Sequence, residues 1–147
     1  MAKVYIEKKL RKYIEKMSIG DKIVTKKRVI TKTDVELFAV NTGAAEPMFL
    51  SKEHAESMGW DGQLAPGLLV YSIAVGLMIQ SGFIANVKAY MGTDNMRFIG
   101  PIYVNDTITV EAEVLSKKKV KNEDWICSYK WEIKNQNGNT TAEGINT

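Results

Sequence analysis

The sequence predicts an α+β fold in which an antiparallel sheet wraps around one long buried helix, and three stretches carry that prediction. GLLVYSIAVGLMI (67–79) is broken only by Tyr71, Ser72 and Gly76 and is apolar all round, as a buried helix is. It is shorter than the ~20 residues needed to span a bilayer, so burial within protein is expected and no membrane span. NDTITVEAEVL (105–115) and WICSYKWEIK (125–134) each alternate apolar and polar residues, which is the period of a strand with one covered face. NQNGN (135–139) then turns the chain into TTAEGINT, so neighbouring strands run antiparallel.

Ahead of these, Ile6, Leu10, Tyr13, Ile14 and Met17 recur at helical spacing among Lys8, Lys9, Arg11, Lys12 and Lys16, which predicts a basic amphipathic helix over 1–17 ending near Gly20. Residues 18–147 are expected to form a single domain. KIVTKKRVIT reads as an edge strand, and Thr31 or Thr33 caps a short helix in TDVELFAVNTG whose first turn holds Asp34 and Glu36. Ser51 caps a second short helix, SKEHAESMGW, which Gly59 stops. Pro66 and Gly67 open the long apolar helix.

The 147 residues carry a net charge of +3, but residues 1–32 hold 11 Lys or Arg against 3 acidic groups and the remainder 9 against 14. Without aromatic residues interleaved on a stacking surface, this basic arm reads as a solvated face, and no nucleic acid is expected. It and the lysines at 117, 118, 119 and 121 are available to meet a negatively charged ligand. The lone Cys127 has no disulfide partner, and MAKVYIEKKLRK has no signal-peptide run, so a cytoplasmic address is expected. One His and one Cys far apart supply no metal-ligand set, so no metal is expected.

Three ordered stretches resemble the hotdog-fold MaoC-like dehydratases, which include the (R)-specific enoyl-CoA hydratases: ELFAVNTGAAEPMFLSKEHA, GWDGQLAPGLLVYSIAVGLM and MRFIGPIYVNDTITVEAEV. The likeness runs over about residues 18–145. It implies a lyase acting on acyl thioesters, with no tightly bound cofactor and with coenzyme A or phosphopantetheine as part of the substrate. It also implies a homodimer, with a higher oligomer or a heterodimer with a catalytic relative as alternatives. The family motif has Phe-Ala, then Gly-Asp-x-Asn-Pro-x-His, then an Ala. Phe38, Ala39, Gly43, Pro47 and Ala55 match it, whereas Ala44 stands at the Asp, Glu46 at the Asn and Phe49 at the His.

Hydrating an enoyl thioester needs groups that exchange protons with water and with the carbon beside the carbonyl, and Ala44 and Phe49 can do neither. Gly67 matches the Gly whose N–H faces the thioester carbonyl, with Pro66 where the family has His. A Pro-Gly pair also serves simply to start a helix. Glu46 and His54 are the ionisable candidates for the missing chemistry, each with a solvated surface role as the plain alternative. The resemblance implies a substrate path lined by Ala44, Pro47, Met48, Phe49, Pro66, Leu68 and Tyr71. Asp61 and Asp106 are accounted for by turn geometry, and Cys127 by the apolar face of its strand. If the proton groups are lost altogether, the expected function is a non-catalytic subunit that binds acyl-CoA or an acyl carrier and pairs with a catalytic relative.

Overall fold

The computed structural model describes residues 1–6 and 13–147. Seven strands form one sheet: β1 (Val4–Ile6), β2 (Lys22–Val24), β3 (Arg28–Val29), β4 (Thr93–Phe98), β5 (Thr107–Lys119), β6 (Trp125–Lys134) and β7 (Thr140–Asn146). The helices are α1 (Lys32–Thr42), α2 (Pro47–Leu50), α3 (Lys52–Ser57) and α4 (Gly67–Gln80). The strand order is β1-β2-β5-β6-β7-β4, with β3 paired to β5, and every pairing except β1 with β2 is antiparallel.

The alternation in β5 produces the expected two faces. Ile108, Val110, Ala112 and Val114 are buried and the residues between them are not. On β6 the inward set is Tyr129, Trp131 and Ile133, while Trp125 is 43% exposed because the β5–β6 register slips between Val114 and Ser116 and the strand ends run past the core. Leu69, Val70, Ala74, Leu77 and Met78 of α4 join this layer in one core cluster. Each fully buried Leu or Met contributes about 1.5–3 kcal/mol of apolar burial, so the inner stripe of α4 is a principal source of stability.

Three expectations are corrected. α4 is buried on one face only: Leu68 and Ile79 are 56% and 54% exposed, so the chain's own sheet covers about half of a helix that is apolar all round. Helical spacing does not make 1–17 one helix: Val4–Ile6 is a strand parallel to β2, and Ile14–Lys16 is a single 3-10 turn. Residues 7–12, with Lys8, Lys9, Arg11 and Lys12, lie outside the described residues. Ile14 and Met17 do face the core, where tertiary packing rather than helical amphipathicity buries them. KIVTKKRVIT is two short strands rather than one. Thr25 separates them, its Oγ1 accepting the Val110 N–H at 3.0 Å in place of a backbone carbonyl.

Lys117 is not free to meet a ligand either. Its ammonium donates to the carbonyls of Glu15 and Met17 and lies 5.1 Å from the Trp125 ring centroid, tying the 3-10 turn to the far end of β5.

The start of α1 is fixed as its sequence predicts. The Thr31 hydroxyl accepts the Asp34 N–H at 3.1 Å and the Asp34 carboxylate accepts the Thr31 N–H at 2.8 Å, a capping box. Arg28 grips both Asp34 oxygens at 2.9 and 3.0 Å. Gly43 ends the helix at φ +76°, a left-handed turn that glycine adopts without strain.

A buried side-chain network joins α4 to the last strand. Trp131 Nε1 donates to Asn146 Oδ1 at 2.8 Å, and Asn146 Nδ2 donates to the Tyr129 hydroxyl at 3.1 Å. An indole N–H can only donate, so it fixes which way the Asn146 amide faces. Tyr71 O–H must then donate to Oδ1, at 3.0 Å, and Tyr90 O–H to Tyr71.

Two outcomes check this account. The Arg28 guanidinium beside Asp34 holds its carboxyl below the usual carboxylate range. A carboxyl depressed on folding stabilises the fold above its unfolded pKa, and that contribution is lost as pH falls through the folded value. Asp34→Asn should therefore lower the melting temperature at neutral pH, by an amount corresponding to about 1 kcal/mol, and flatten the stability curve below about pH 5. Burial pushes the Tyr129 hydroxyl up to about 12. Its stabilising effect is complete below the ordinary tyrosine range near pH 10 and disappears as pH rises through the folded value. Denaturant titrations from pH 9 to 12 should show that loss, and Tyr129→Phe should be less stable at pH 8 but lose less across the alkaline window.

Candidate functional site

Gly67 is the first residue of α4, and the segment leading into it is clamped from both sides. On one side the Leu64 N–H donates to the Met48 carbonyl at 3.1 Å and Gln63 Nε2 donates to the Phe49 carbonyl at 2.7 Å. On the other, the Ala65 N–H reaches the Ile102 carbonyl at 2.8 Å and the Val104 N–H the Gln63 carbonyl at 2.9 Å. The α2 segment is thus fastened to the strand-like approach to α4, and the two motif regions separated in sequence meet there.

The helix itself begins with open donors. The Val70 N–H reaches the Pro66 carbonyl at 3.1 Å, while the N–H groups of Gly67, Leu68 and Leu69 have no acceptor among the described residues. Pro66 contributes no capping side chain, and no acidic residue lies in the first turn to neutralise the positive end of the helix dipole. Such an end accepts an oxygen that carries or develops negative charge.

Position 67 has no room for a side chain. A Cβ there would lie 2.6, 2.8 and 2.9 Å from Cε1, Cζ and Cδ1 of Phe98, whose ring leans on the helix start from β4. Phe98 lies in the third stretch that resembles the family, MRFIGPIYVNDTITVEAEV, but the hydratase motif itself is far away in sequence and gives no sign that this ring meets Gly67.

The other candidates are distributed around this start. Phe49 is half-buried against the core, and Met48 is half-buried next to it in sequence. Pro47 is the first residue of α2 and is exposed, whereas Pro66 is buried. Ala44 is half-buried in the loop after α1, its N–H held by Thr42 Oγ1 at 3.2 Å. Leu68 points its exposed side chain away from the core.

Tyr71 is not a free donor for a ligand. Its single proton is committed to Asn146, its oxygen receives Tyr90, and its ring lies 4.9 Å from the Trp131 ring centroid. It belongs to the network that anchors α4. Sequence reasoning missed Asn146 and Tyr90, because a polar residue on the final strand and a tyrosine in a loop give no local sign of meeting Tyr71.

Glu46 is the exposed N-cap residue of α2, and its carboxylate makes no capping bond. His54 is exposed on α3, whose N-cap Ser51 accepts the His54 backbone N–H at 3.1 Å. Among the described residues no hydrogen bond links either side chain to the start of α4. Asp106 is consumed by its turn, accepting the Tyr103 N–H at 2.8 Å and Gln136 Nε2 at 2.9 Å. Burial pushes the Cys127 thiol up, away from the reactive thiolate. No three His, Cys, Asp or Glu side chains among the described residues gather as metal ligands. No helix among them is long and apolar enough to cross a membrane.

Comparison with known proteins agrees with this architecture. The protein MaoC of Klebsiella aerogenes is 32% identical over 113 residues, which is 77% of this chain, and the chain spans 33% of that protein's length. The structure described as monoamine oxidase regulatory protein from Archaeoglobus fulgidus superposes with a TM-score of 0.81 at 31% identity, covering 99% of this chain and 94% of that one. Two more distant structures share the hotdog fold. The R-hydratase PhaJ1 of Pseudomonas aeruginosa has a TM-score of 0.74 at 23% identity, covering 90% of this chain and 81% of that one. The HadBC (3R-hydroxyacyl-ACP dehydratase) complex of Mycobacterium tuberculosis gives 0.71 at 18%, covering 93% and 97%. The family described as MaoC like domain matches residues 15–134, and the chain belongs to that family.

Proposed function

We propose that this chain binds an acyl thioester, carried on coenzyme A or on an acyl carrier protein, with the thioester carbonyl at the open N–H groups of Gly67, Leu68 and Leu69. The reaction class is that of a hydratase or dehydratase, a lyase, with an altered acid–base pair. The observation carrying this is the start of α4: an uncompensated positive helix end, without a capping side chain, whose approach is fastened to the backbone of Met48 and Phe49, in a chain of this family. When water adds to an enoyl thioester, a C–O bond forms at the β-carbon and the electron pair moves toward the carbonyl oxygen before a proton is taken at the α-carbon. Fixed N–H donors stabilise that oxygen; they move no proton.

The proton steps are where this chain departs. Ala44 and Phe49 have no titratable group, and Glu46 and His54 point to solvent. A positioned general acid or base is worth about 10² to 10⁴ in rate, so unaided turnover should be slow. This same pair of residues favours the second reading, a subunit that binds the thioester and pairs with a catalytic relative.

Self-association follows from α4. Leu68, Ser72 and Ile79 are exposed on its outer side, and among the described residues β4 is the end strand of the sheet with one unpaired edge. A second copy across that edge, continuing the sheet, covers both. We expect a homodimer in which Ile79→Glu raises the dissociation constant at least tenfold by sedimentation; a wild-type monomer at micromolar concentration contradicts it.

For activity, homogeneous protein should bind crotonyl-CoA and hydrate it slowly or not at all, followed by loss of enoyl absorbance. Ala44→Asp with Phe49→His should raise that rate at least tenfold, since position 44 is half-exposed and a new carboxylate there keeps access to water. Ordinary turnover by the unmodified protein would contradict the altered pair, and Glu46→Gln would then test the remaining carboxylate of the loop. Absence of binding at millimolar concentration would remove the thioester assignment.

A further inference from the structure

Phe98 is delivered to the helix start by a backbone that is fixed on both sides. It pairs in register with Ala142, and the next two N–H groups, of Ile99 and Gly100, both bond the Thr141 carbonyl, at 2.7 and 3.1 Å. The ring is not a core residue: it is 50% exposed, and it lies against Gly67. A large apolar ring on a paired strand thus lies against Gly67, within reach of an acyl group whose carbonyl is received by the N–H groups of the first turn.

We propose that Phe98 is the residue that selects the acyl group, on the basis of the thioester assignment above. The ring admits a chain that is slim at the β-carbon, as crotonyl is, and excludes one that carries a bulky group there, as cinnamoyl does. Gly67 and Phe98 act as a pair. The glycine lets the ring approach, and the ring narrows the way to the glycine N–H. A methyl at 67 must push the ring aside and close the path further. Phe98 is a specificity-determining residue with no part in proton transfer, so its effect lies in which thioester binds.

The test compares binding of crotonyl-CoA and cinnamoyl-CoA, by calorimetry, to the wild-type dimer or monomer as purified, to Phe98→Ala, to Phe98→Leu and to Gly67→Ala. Phe98→Leu keeps an apolar side chain on the edge strand if the alanine variant folds poorly. The wild type is expected to prefer crotonyl-CoA at least tenfold. Phe98→Ala should reduce that preference to less than threefold by improving cinnamoyl-CoA binding, and Phe98→Leu should fall between. Gly67→Ala should weaken both ligands, with partial recovery when combined with Phe98→Ala. Both thioesters binding with an unchanged ratio in the Phe98 variants would overturn the role of Phe98 while leaving the thioester assignment standing. Binding of neither thioester to any variant would overturn both. Binding to Phe98→Ala alone would overturn the proposal, because a ring that selects between acyl groups must let the wild type bind crotonyl-CoA.

Discussion

The packing of one face of α4 against the inner side of the sheet is the contact on which the remaining structure depends. Leu69, Val70, Ala74, Leu77 and Met78 meet the inward residues of β5 and β6 in a single cluster, and burial of these apolar side chains offsets the entropy of ordering the chain. The helix must then begin at the rim, where the approach over 63–66 is clamped between the α2 segment and 102–104. Its first N–H groups are consequently held in place by packing several residues away, and among the described residues they remain open donors. The same constraint that stabilises the fold thus fixes the position proposed above to receive a carbonyl oxygen.

The same constraint leaves two features exposed. A helix apolar on all sides cannot be covered by a sheet that reaches only one of them, and among the described residues the sheet ends at β4 with one edge unpaired. Both are costly to leave in water, and the homodimer proposed above would cover them. On the inner side the Trp131–Asn146–Tyr71 network keeps α4 from rotating to hide its outer stripe, because a half-turn would strand buried donors and acceptors. The polar network therefore fixes which face of the helix is offered outward.

Much of this was legible in the sequence where the signal is local. The alternation of Ile108, Val110, Ala112 and Val114 predicted the inward face of β5, and Thr31 and Ser51 were readable as caps because capping requires a side-chain oxygen a fixed few residues ahead. The N-terminal stretch was misread because Ile6, Leu10, Tyr13, Ile14 and Met17 recur at helical spacing, while the pairing of Val4–Ile6 with β2 is a contact between distant segments. The same limit hid the contact of Phe98 with Gly67 and the role of Asn146: each is set by which strands become neighbours. For Tyr71 residue type alone suggested a hydrogen-bond donor; only the fixed direction of the Trp131 N–H shows that its proton is already spent. The family motif made the loss at positions 44 and 49 visible from sequence, whereas the solvent-facing placement of Glu46 and His54 required the fold.

The central claim is that a thioester carbonyl is received by the first turn of α4, and amide chemical shifts report on it most directly. During titration of isotopically labelled protein with a non-hydrolysable thioether analogue of crotonyl-CoA that retains the carbonyl, the N–H resonances of Gly67, Leu68 and Leu69 should shift downfield with a common saturation curve, the largest change among them exceeding those elsewhere in α4. Saturable binding with these three resonances unmoved and the changes confined to the outer sheet face or to the turn at Tyr103 and Asp106 would contradict the account.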